Sequence, residues 1–560
     1  MPTGRSVSRP LDSIHHRVTK MTSTQDRPTS VPPSASRRGP EVRRHGHAPR
    51  TGEQYPLGEF VPSGKFGRMF ARLRPLLPPN EALIELGLAM GDVEPNTPEG
   101  DNPEVPAGYT YLGQFIDHDI TFDTTSLQET LIDPQALTNF RSPMLDLDSV
   151  YGSGPAVQPY LYRQPPAATD PVTNIRRTGP VEELLVGLTN TQPGAGDADV
   201  PVSQPNDLPR NAEGTALLGD QRNDENLIVA QLHVAFLKAH NKLVRLIRSG
   251  EIPSESPERK SPFEEARDLL IWHYQWIVLH DFLPRIIEQG QLDDVLKNGR
   301  RFYQYKDFPF IPVEFSVAVY RLGHSMIRSV YDYNRVFTPR PGGVTPATLD
   351  LLFRFTAKSG EPNDFANVPV PSDWIIDWRR FFDLDASLPT NPSRKLDPFL
   401  VEPLSVLPNV EGQGRPDAFA SLAVRNLLRG KMVGLPPGQS VALRMGMEPL
   451  SPEQIAQGPD GAVAKKHNLH IESPLWYYVL KEAQIKHGGR RLGPVGSRIL
   501  AEVFVGLLEG DSSSFLNRCP TWKPKRPIAR EDGRFTAADL IAFMGDVSPI
   551  DGLADPAGRS

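Results

Sequence analysis

The stretch Tyr109-Thr110-Tyr111-Leu112-Gly113-Gln114-Phe115-Ile116-Asp117-His118-Asp119 decides how the rest of the chain is read. It is aromatic at its start and polar at its end. On a helix, Gln114, Asp117 and His118 stand at i, i+3 and i+4 and share one face. Asp119 is turned about a hundred degrees away from His118 and serves something else. An amide, a carboxylate and an imidazole on one face suit a reaction site, and a carboxylate aimed off that face suits a hard cation. A lone buried histidine is more often satisfied by backbone than catalytic. The reading therefore depends on what accompanies His118.

Around this stretch lies a chain of 560 residues with the apolar and charged content of a globular protein, ample for a sizeable core. Its 58 prolines are about twice the average share, which predicts long ordered loops between elements. One cysteine, Cys519, rules out an internal disulfide framework or a thiolate metal cluster and fits a reducing compartment. The net charge of −6 hides an asymmetry: residues 1–50 carry ten Lys/Arg against three Asp/Glu, which leaves −13 for the remainder. A body of that sign does not grip nucleic acid. No apolar run is long enough to span a membrane. No signal peptide is visible, so the expectation is a cytoplasmic protein or one exported by a non-classical route.

Residues 1–55 lack a hydrophobic period and are rich in Ser, Pro, Arg and Thr, which predicts a disordered basic tail, with Met21 an alternative start. Residues 64–79, basic and aromatic, are broken too early by proline for a membrane-surface helix and are expected to pack as an arm on the body. Apolar spacing predicts a helix from Asn226 to about Ser249, stopped by Gly250. Ser261-Pro262-Phe263-Glu264 is a capping box that opens a helix running to a break at Leu283-Pro284. Further starts are expected at Thr345-Pro346 and Thr536, and an amphipathic helix over 493–510 ended by Gly510. Strand-like alternation is scarce. The fold class is mainly α: one large domain over residues 56–555 with long Pro-rich loops and little β.

Four more stretches accompany His118. In Arg141-Ser142-Pro143-Met144-Leu145-Asp146-Leu147-Asp148-Ser149-Val150-Tyr151-Gly152, oxygen-bearing side chains Ser142, Asp146 and Asp148 alternate around the Met144 carbonyl. With the spare Asp119 they can form an all-oxygen Ca²⁺ site, although the spacing is not that of an EF-hand. Gly219-Asp220-Gln221-Arg222-Asn223-Asp224-Glu225-Asn226 offers a cation and a carboxylate, Arg222 and Glu225, three residues apart at a helix start. Tyr320-Arg321-Leu322-Gly323-His324-Ser325-Met326-Ile327 sets a histidine in mostly apolar surroundings. Arg425-Asn426-Leu427-Leu428-Arg429-Gly430 supplies Asn426, able to accept a hydrogen bond from such a histidine.

Gly-Gln-Phe-Ile-Asp-His-Asp, Leu-Asp-Leu-Asp-Ser-Val-Tyr-Gly and Gly-Asp-x-Arg-x-x-Glu-Asn, in that order, resemble the animal-type haem peroxidases of the peroxidase–cyclooxygenase superfamily, most of all its bacterial members. The resemblance runs from about Gly64 to the Asp539-Leu540-Ile541 region. It implies a haem peroxidase catalytic domain in which His118 is the distal base, Gln114 its neighbour where halide or water sits, and Arg222 the distal arginine. His324 is then the proximal iron ligand, Asn426 holds its other nitrogen, and Arg321 faces a propionate of haem b. Asp119, Ser142, Met144 through its carbonyl, Asp146 and Asp148 match the family's calcium ligands. The implied activity is reduction of H₂O₂ through an oxoferryl haem, with oxidation of halide, thiocyanate or phenolic donors, chloride being the hardest.

Departures refine these expectations. Relatives link haem by esters at the positions of Asp117 and Glu225, so covalent haem is expected as an open possibility, while Asn226 replaces the methionine of a third, sulfonium link. Fatty-acid oxygenases of the superfamily carry a radical tyrosine three residues before the proximal histidine. That position is Arg321, and Tyr320 is four before. A fatty-acid dioxygenase is the first alternative, and a non-enzymatic haem-binding or adhesion protein the second. The pairs His233/His240 and His273/His280 lack a third ligand and are expected to pack in the core or on the surface rather than bind zinc. The oligomeric state is not written in these patterns.

Overall fold

The computed structural model describes residues 64–92, 97–123, 137–164, 167–169, 176–178, 181–190, 200, 203–253, 260–357, 369–405 and 417–552. The basic tail expected over residues 1–55 lies outside them. The helices that build the body are Asn80–Leu88 (α1), Gly108–Ile120 (α2), Leu227–Ser249 (α3), Pro262–Ile277 (α4), Leu422–Met432 (α5), Leu475–His487 (α6), Pro494–Gly510 (α7) and Ala537–Met544 (α8). Among the described residues, strands form only two-stranded ladders, such as Phe66–Gly67 with Ile311–Pro312 and Asp101–Pro106 with Pro392–Arg394. The mainly α expectation holds. None of the described helices is long and apolar enough to cross a membrane.

Local chemistry explains where the helices begin and end. Asn226 caps α3 through its side chain, which accepts from Val229 N, and Gly250 ends it in the left-handed region at φ 80°. Ser261 and Glu264 form the expected reciprocal box at the start of α4. Thr536 does the same for α8 with Asp539.

Three expectations are corrected. The chain does not break at Leu283-Pro284: α4 passes into a π-helical turn, Val278–Phe282, and helical backbone continues through Pro284 to Ile286. The helix expected at Thr345-Pro346 starts later, because Thr348 provides the cap, accepting from Leu351 N. Finally, α7 is not amphipathic but buried on every side from Val495 to Leu508. Its Arg498 and Glu502, 4% and 0% exposed, pair with each other at 2.8 Å. Glu502 also accepts from the backbone of Arg301, Phe302 and Tyr303, so the buried charge is satisfied.

The segment from Gly64 packs as the expected arm. Glu314, fully buried, accepts from Met69 N and Phe70 N at 3.1 Å, and Leu76 N donates to Leu435 O at 2.8 Å. On the core side of α2, Phe115 stacks on Phe236 of α3 at 4.6 Å and meets Tyr274 of α4 edge-on. Truncating Phe115 to alanine would cost about 3–5 kcal/mol. Thus α2 is clamped against α3 and α4 by one face and presents the other to a cavity.

Candidate active site

The start of α2 depends on a close approach. Gly108 N donates to Phe381 O at 2.9 Å, and a Cβ on Gly108 would lie 2.5 Å from that oxygen. From there the helical period delivers the side chains as expected. Gln114, Asp117 and His118 line a cavity of about 560 Å³, while Asp119 is fully buried on another side. A volume of that size is ordinary for a small-molecule or cofactor site.

His118 is nearly sealed, and its Nδ1 lies 2.8 Å from Asn223 Oδ1. The Asn223 amide nitrogen lies 2.9 Å from Nδ1 of His233. An amide nitrogen only donates and an amide oxygen only accepts, so His118 carries its proton on Nδ1 and keeps Nε2 free as a base. Burial first, then the neighbouring Arg222 charge, pull its pKa down to about 3, so the ring is neutral at ordinary pH. Asn223 and His233 were not singled out as functional in the sequence. Asn223 lies inside the quoted Gly219–Asn226 stretch, whereas His233 carried only the helix period of α3.

Arg222 also lines the cavity. Its Nε and Nη2 grip the two oxygens of Asp220 at 3.1 and 2.8 Å, and Nη2 also donates to His118 O at 3.1 Å. The guanidinium lies over the Phe122 ring at 4.6 Å, and Nη1 is 4.0 Å from Asp117 Oδ2. Burial pushes Asp220 up, but Arg222 and Arg141 together outweigh it and hold the carboxyl at about 2. Gln114 is steadied through its Oε1, which accepts from Asn226 Nδ2 at 3.2 Å. Glu225 lines the same cavity, as does Asn226.

His324 ends a 3₁₀ turn, Val319–His324, and lines the cavity as well. Burial, then Arg321, lower its pKa to about 3, so it too is neutral. Asn426 of α5 is its partner, with a difference from the expected polarity. The amide nitrogen is 2.8 Å from His324 Nδ1, and the amide oxygen accepts from Arg321 Nη1 at 2.5 Å. The charged guanidinium is the stronger donor and takes the oxygen. Arg321 thus lines the cavity while bonded to Asn426 and to Ser316 O. Arg425 and Arg429 add two guanidiniums to the lining that the sequence reading left unassigned. Apolar walls from Phe66, Leu137, Met326, Phe353, Leu404 and Leu422, cationic groups and two neutral histidines fit a flat apolar macrocycle with anionic arms.

Behind α2, Asp119, Asp146 and Asp148 are fully buried, with one oxygen of each within 4.8 Å of the others. Leu147, at φ 56°, takes a left-handed conformation that a leucine avoids, and so turns both flanking aspartates inward. Ser142 Oγ donates to Asp146 Oδ2 at 2.8 Å, and Met144 lies half-buried in the same loop. Burial and the charges of Asp148 and Asp146 raise the pKa of Asp119 well above the carboxylate range. A cation among these oxygens would relieve that repulsion, and hard oxygen donors in a buried loop suit calcium.

His240 and His273 behave as core groups, whereas His280 is exposed. His240, fully buried, accepts from Tyr151 OH at 2.9 Å and donates to Glu182 O at 3.0 Å. His273 Nδ1 donates to Leu269 O at 2.7 Å.

Comparison with known proteins places the chain in a family. Residues 121–517, which include Arg222, His324 and Asn426 and begin just after His118, match the animal haem peroxidase family. A peroxidase-like protein of Margaritifera margaritifera is 27% identical over 39% of this chain and 26% of its own length. The chorion peroxidase of Drosophila melanogaster is 25% identical over 52% of this chain and 34% of its own. The chain therefore spans well under two thirds of these relatives. Among solved structures, peroxidase A of Dictyostelium discoideum superposes with a TM-score of 0.52 at 17% identity, covering 87% of this chain and 95% of that one. A fatty acid alpha-dioxygenase of Arabidopsis thaliana gives 0.50 at 13% identity, covering 84% and 78%. Both likenesses concern the fold alone. With its family match running across most of the sequence, the chain belongs to the animal haem peroxidases.

Proposed function

We propose that the protein is a peroxidase that reduces hydrogen peroxide and oxidises halide, thiocyanate or phenolic donors. The observation that carries this is the tautomer of His118: Asn223 occupies Nδ1, so a neutral Nε2 is available beside Arg222 in the cavity. With the Asn426 amide nitrogen on Nδ1, His324 carries its proton on Nε2, so it would hold haem b only once that amide turns its oxygen to Nδ1. Arg321, Arg425 and Arg429 are the cavity's cations toward the haem carboxylates, and the haem would supply the redox-active iron. His118 Nε2 takes a proton from one peroxide oxygen and returns it to the other, so that water leaves. Arg222, its plane set by Asp220, stabilises the negative charge that develops as the O–O bond parts. Gln114, held through its oxygen, keeps its amide N–H groups for a water or small anion.

Calcium is the proposed cation of Asp119, Asp146, Asp148 and Ser142, with the Met144 carbonyl. It would tie the residue beside His118 to the 142–148 loop. Asp117 and Glu225, both at the cavity wall, are the proposed ester positions.

A dioxygenase needs a tyrosine that gives up its proton as it is oxidised. Tyr320 lines the cavity, but its hydroxyl donates to the Gly113 carbonyl at 3.2 Å, an acceptor with no capacity to take the proton. The deciding experiment is steady-state turnover of the haem-loaded chain with H₂O₂ and iodide, thiocyanate or a phenol, against linoleate with oxygen uptake followed. Donor-dependent turnover without oxygen consumption is expected. Rapid oxygen uptake with linoleate, abolished by Tyr320→Phe, would overturn the reading in favour of the dioxygenase.

A further inference from the structure

The cation cluster and the cavity share a residue. Arg141, 7% exposed, reaches both ways: its Nη1 lies 3.1 Å from Asp148 Oδ1 and its Nε 2.8 Å from Asp220 Oδ2. Its Nη2 donates to Gly219 O at 2.8 Å. Asp220, 1% exposed, in turn grips Arg222 with both oxygens, and its Oδ1 also accepts from Arg222 N at 2.9 Å. Asp148, Arg141, Asp220 and Arg222 are thus a row of alternating charge, buried at one end and open to the cavity at the other. Phe122 braces the row, with the Arg141 guanidinium 5.9 Å and that of Arg222 4.6 Å from its ring centre.

The backbone is built for the same contact. A Cβ on Gly219 would lie 2.5 Å from the carbonyl oxygens of Asp148 and Ser149. Only glycine lets the segment carrying Asp220 lie against the segment carrying Asp148.

We propose that Arg141 and Asp220 are positioning residues that couple the carboxylate cluster to the distal guanidinium, so that anion binding in the cavity depends on how the cluster is occupied. The fork of Arg222 is planar, and two oxygens of one carboxylate fix that plane. Arg141 faces Asp220 from the far side as an ion pair, its Nε 2.8 Å from Oδ2 but without a hydrogen bond there, so it holds the carboxylate by charge. Arg141 is held in turn by Asp148, a residue of the cluster. This route is separate from the path through Asp119 to His118 on α2. The proposal rests on the peroxidase reading only in taking Arg222 to face a bound anion.

The test uses the full chain loaded with haem, with fluoride as the anion probe. Its affinity for the ferric protein is read from the visible absorption, and metal content from atomic emission. R141Q is expected to keep its haem and to bind fluoride about tenfold more weakly, because Asp220 then keeps one cation, Arg222, where it had two. R141K, a point charge that cannot fork between two carboxylates, should fall between R141Q and wild type. D220N and the R141Q/D220N pair should be equally weak, because both cut one path. Chelation of the metal should weaken fluoride more in wild type than in R141Q, where only the path through Asp119 to His118 remains. If R141Q does not fold, R141K decides. Wild-type affinity in R141K and R141Q, additive losses in the double variant, or an equal chelation effect in wild type and R141Q would each overturn the coupling. A wild-type chain that takes up no haem would sink the peroxidase reading instead, and the proposal with it.

Discussion

The Asn223 amide holds His118 from behind, its oxygen 2.8 Å from Nδ1, while its nitrogen is spent on His233 at 2.9 Å. Asn223 is fully buried and has no other orientation that satisfies both imidazoles in these tautomers. Asn223→Ala should therefore free the His118 ring to rotate and to exchange tautomers. We expect kcat/KM for peroxide to fall about ten- to a hundredfold with haem content unchanged, the usual scale for losing the partner that orients a catalytic or ligating histidine. Steady-state kinetics at saturating donor check this. Undiminished kcat/KM would mean that the chain through His233 does not set the base.

A second prediction concerns the cluster of Asp119, Asp146 and Asp148. Arg141 pairs with Asp148, and a metal ion among the three buried carboxylates would relieve their mutual repulsion. Removing divalent metal by chelation should lower both the melting temperature and peroxide turnover, and calcium should restore both. Asp119→Asn should lower the metal content and reduce the response to chelation. Thermal melts with and without chelator would show no difference if the cluster holds no cation.

Acid sensitivity follows from His240. Burial lowers its pKa from the ordinary 6.5 to about 4, against the opposing bond to Glu182 O. The unfolded chain binds a proton in this window that the folded chain does not, so stability rises with pH there. The contribution is fully present above pH 6.5 and is lost as pH falls toward about 4. Its size is about 3 kcal/mol, of which roughly 2 kcal/mol is gone by pH 5. Urea unfolding at pH 7.5 and pH 5 should show a smaller acid loss for His240→Gln than for wild type. Equal losses would place the sensitivity elsewhere, in His233 or His273, which burial lowers in the same way.

What could be read beforehand was whatever is local. The face shared by Gln114, Asp117 and His118, the caps at Asn226, Ser261 and Thr536, and the stop at Gly250 each depend on residues within a turn of one another. The partners that complete the site do not. Asn223 is 105 residues from His118, and Arg141 is joined to Gly219 across 78. No spacing rule reports such contacts. The helix α7 departs from its amphipathic expectation for a related reason: its charged pair Arg498 and Glu502 is buried, with Glu502 capped by the distant 301–303 backbone. Asn426 shows a finer limit. The sequence named His324's partner, but the side of the amide turned to it depended on the competing donor, Arg321.

The last prediction turns on Asp117 and Glu225, which line the cavity proposed to hold haem. Ester formation at either position replaces a carboxylate by a neutral linkage. Burial already favours the uncharged form of Asp117, raising its pKa against the opposing charge of Arg222. The Asp117 Oδ1 accepts from Thr121 Oγ1 at 2.9 Å, which fixes one oxygen and leaves Oδ2 on the Arg222 side. After exposure to peroxide, acid-acetone is expected to leave haem on the wild-type polypeptide and to extract it from an Asp117→Val, Glu225→Gln double variant. Thr121→Val, which releases the fixed oxygen without touching the carboxylate, should slow the conversion rather than abolish it. Complete extraction from wild type after repeated peroxide cycles would show that cavity-facing carboxylates at these positions do not suffice for the link.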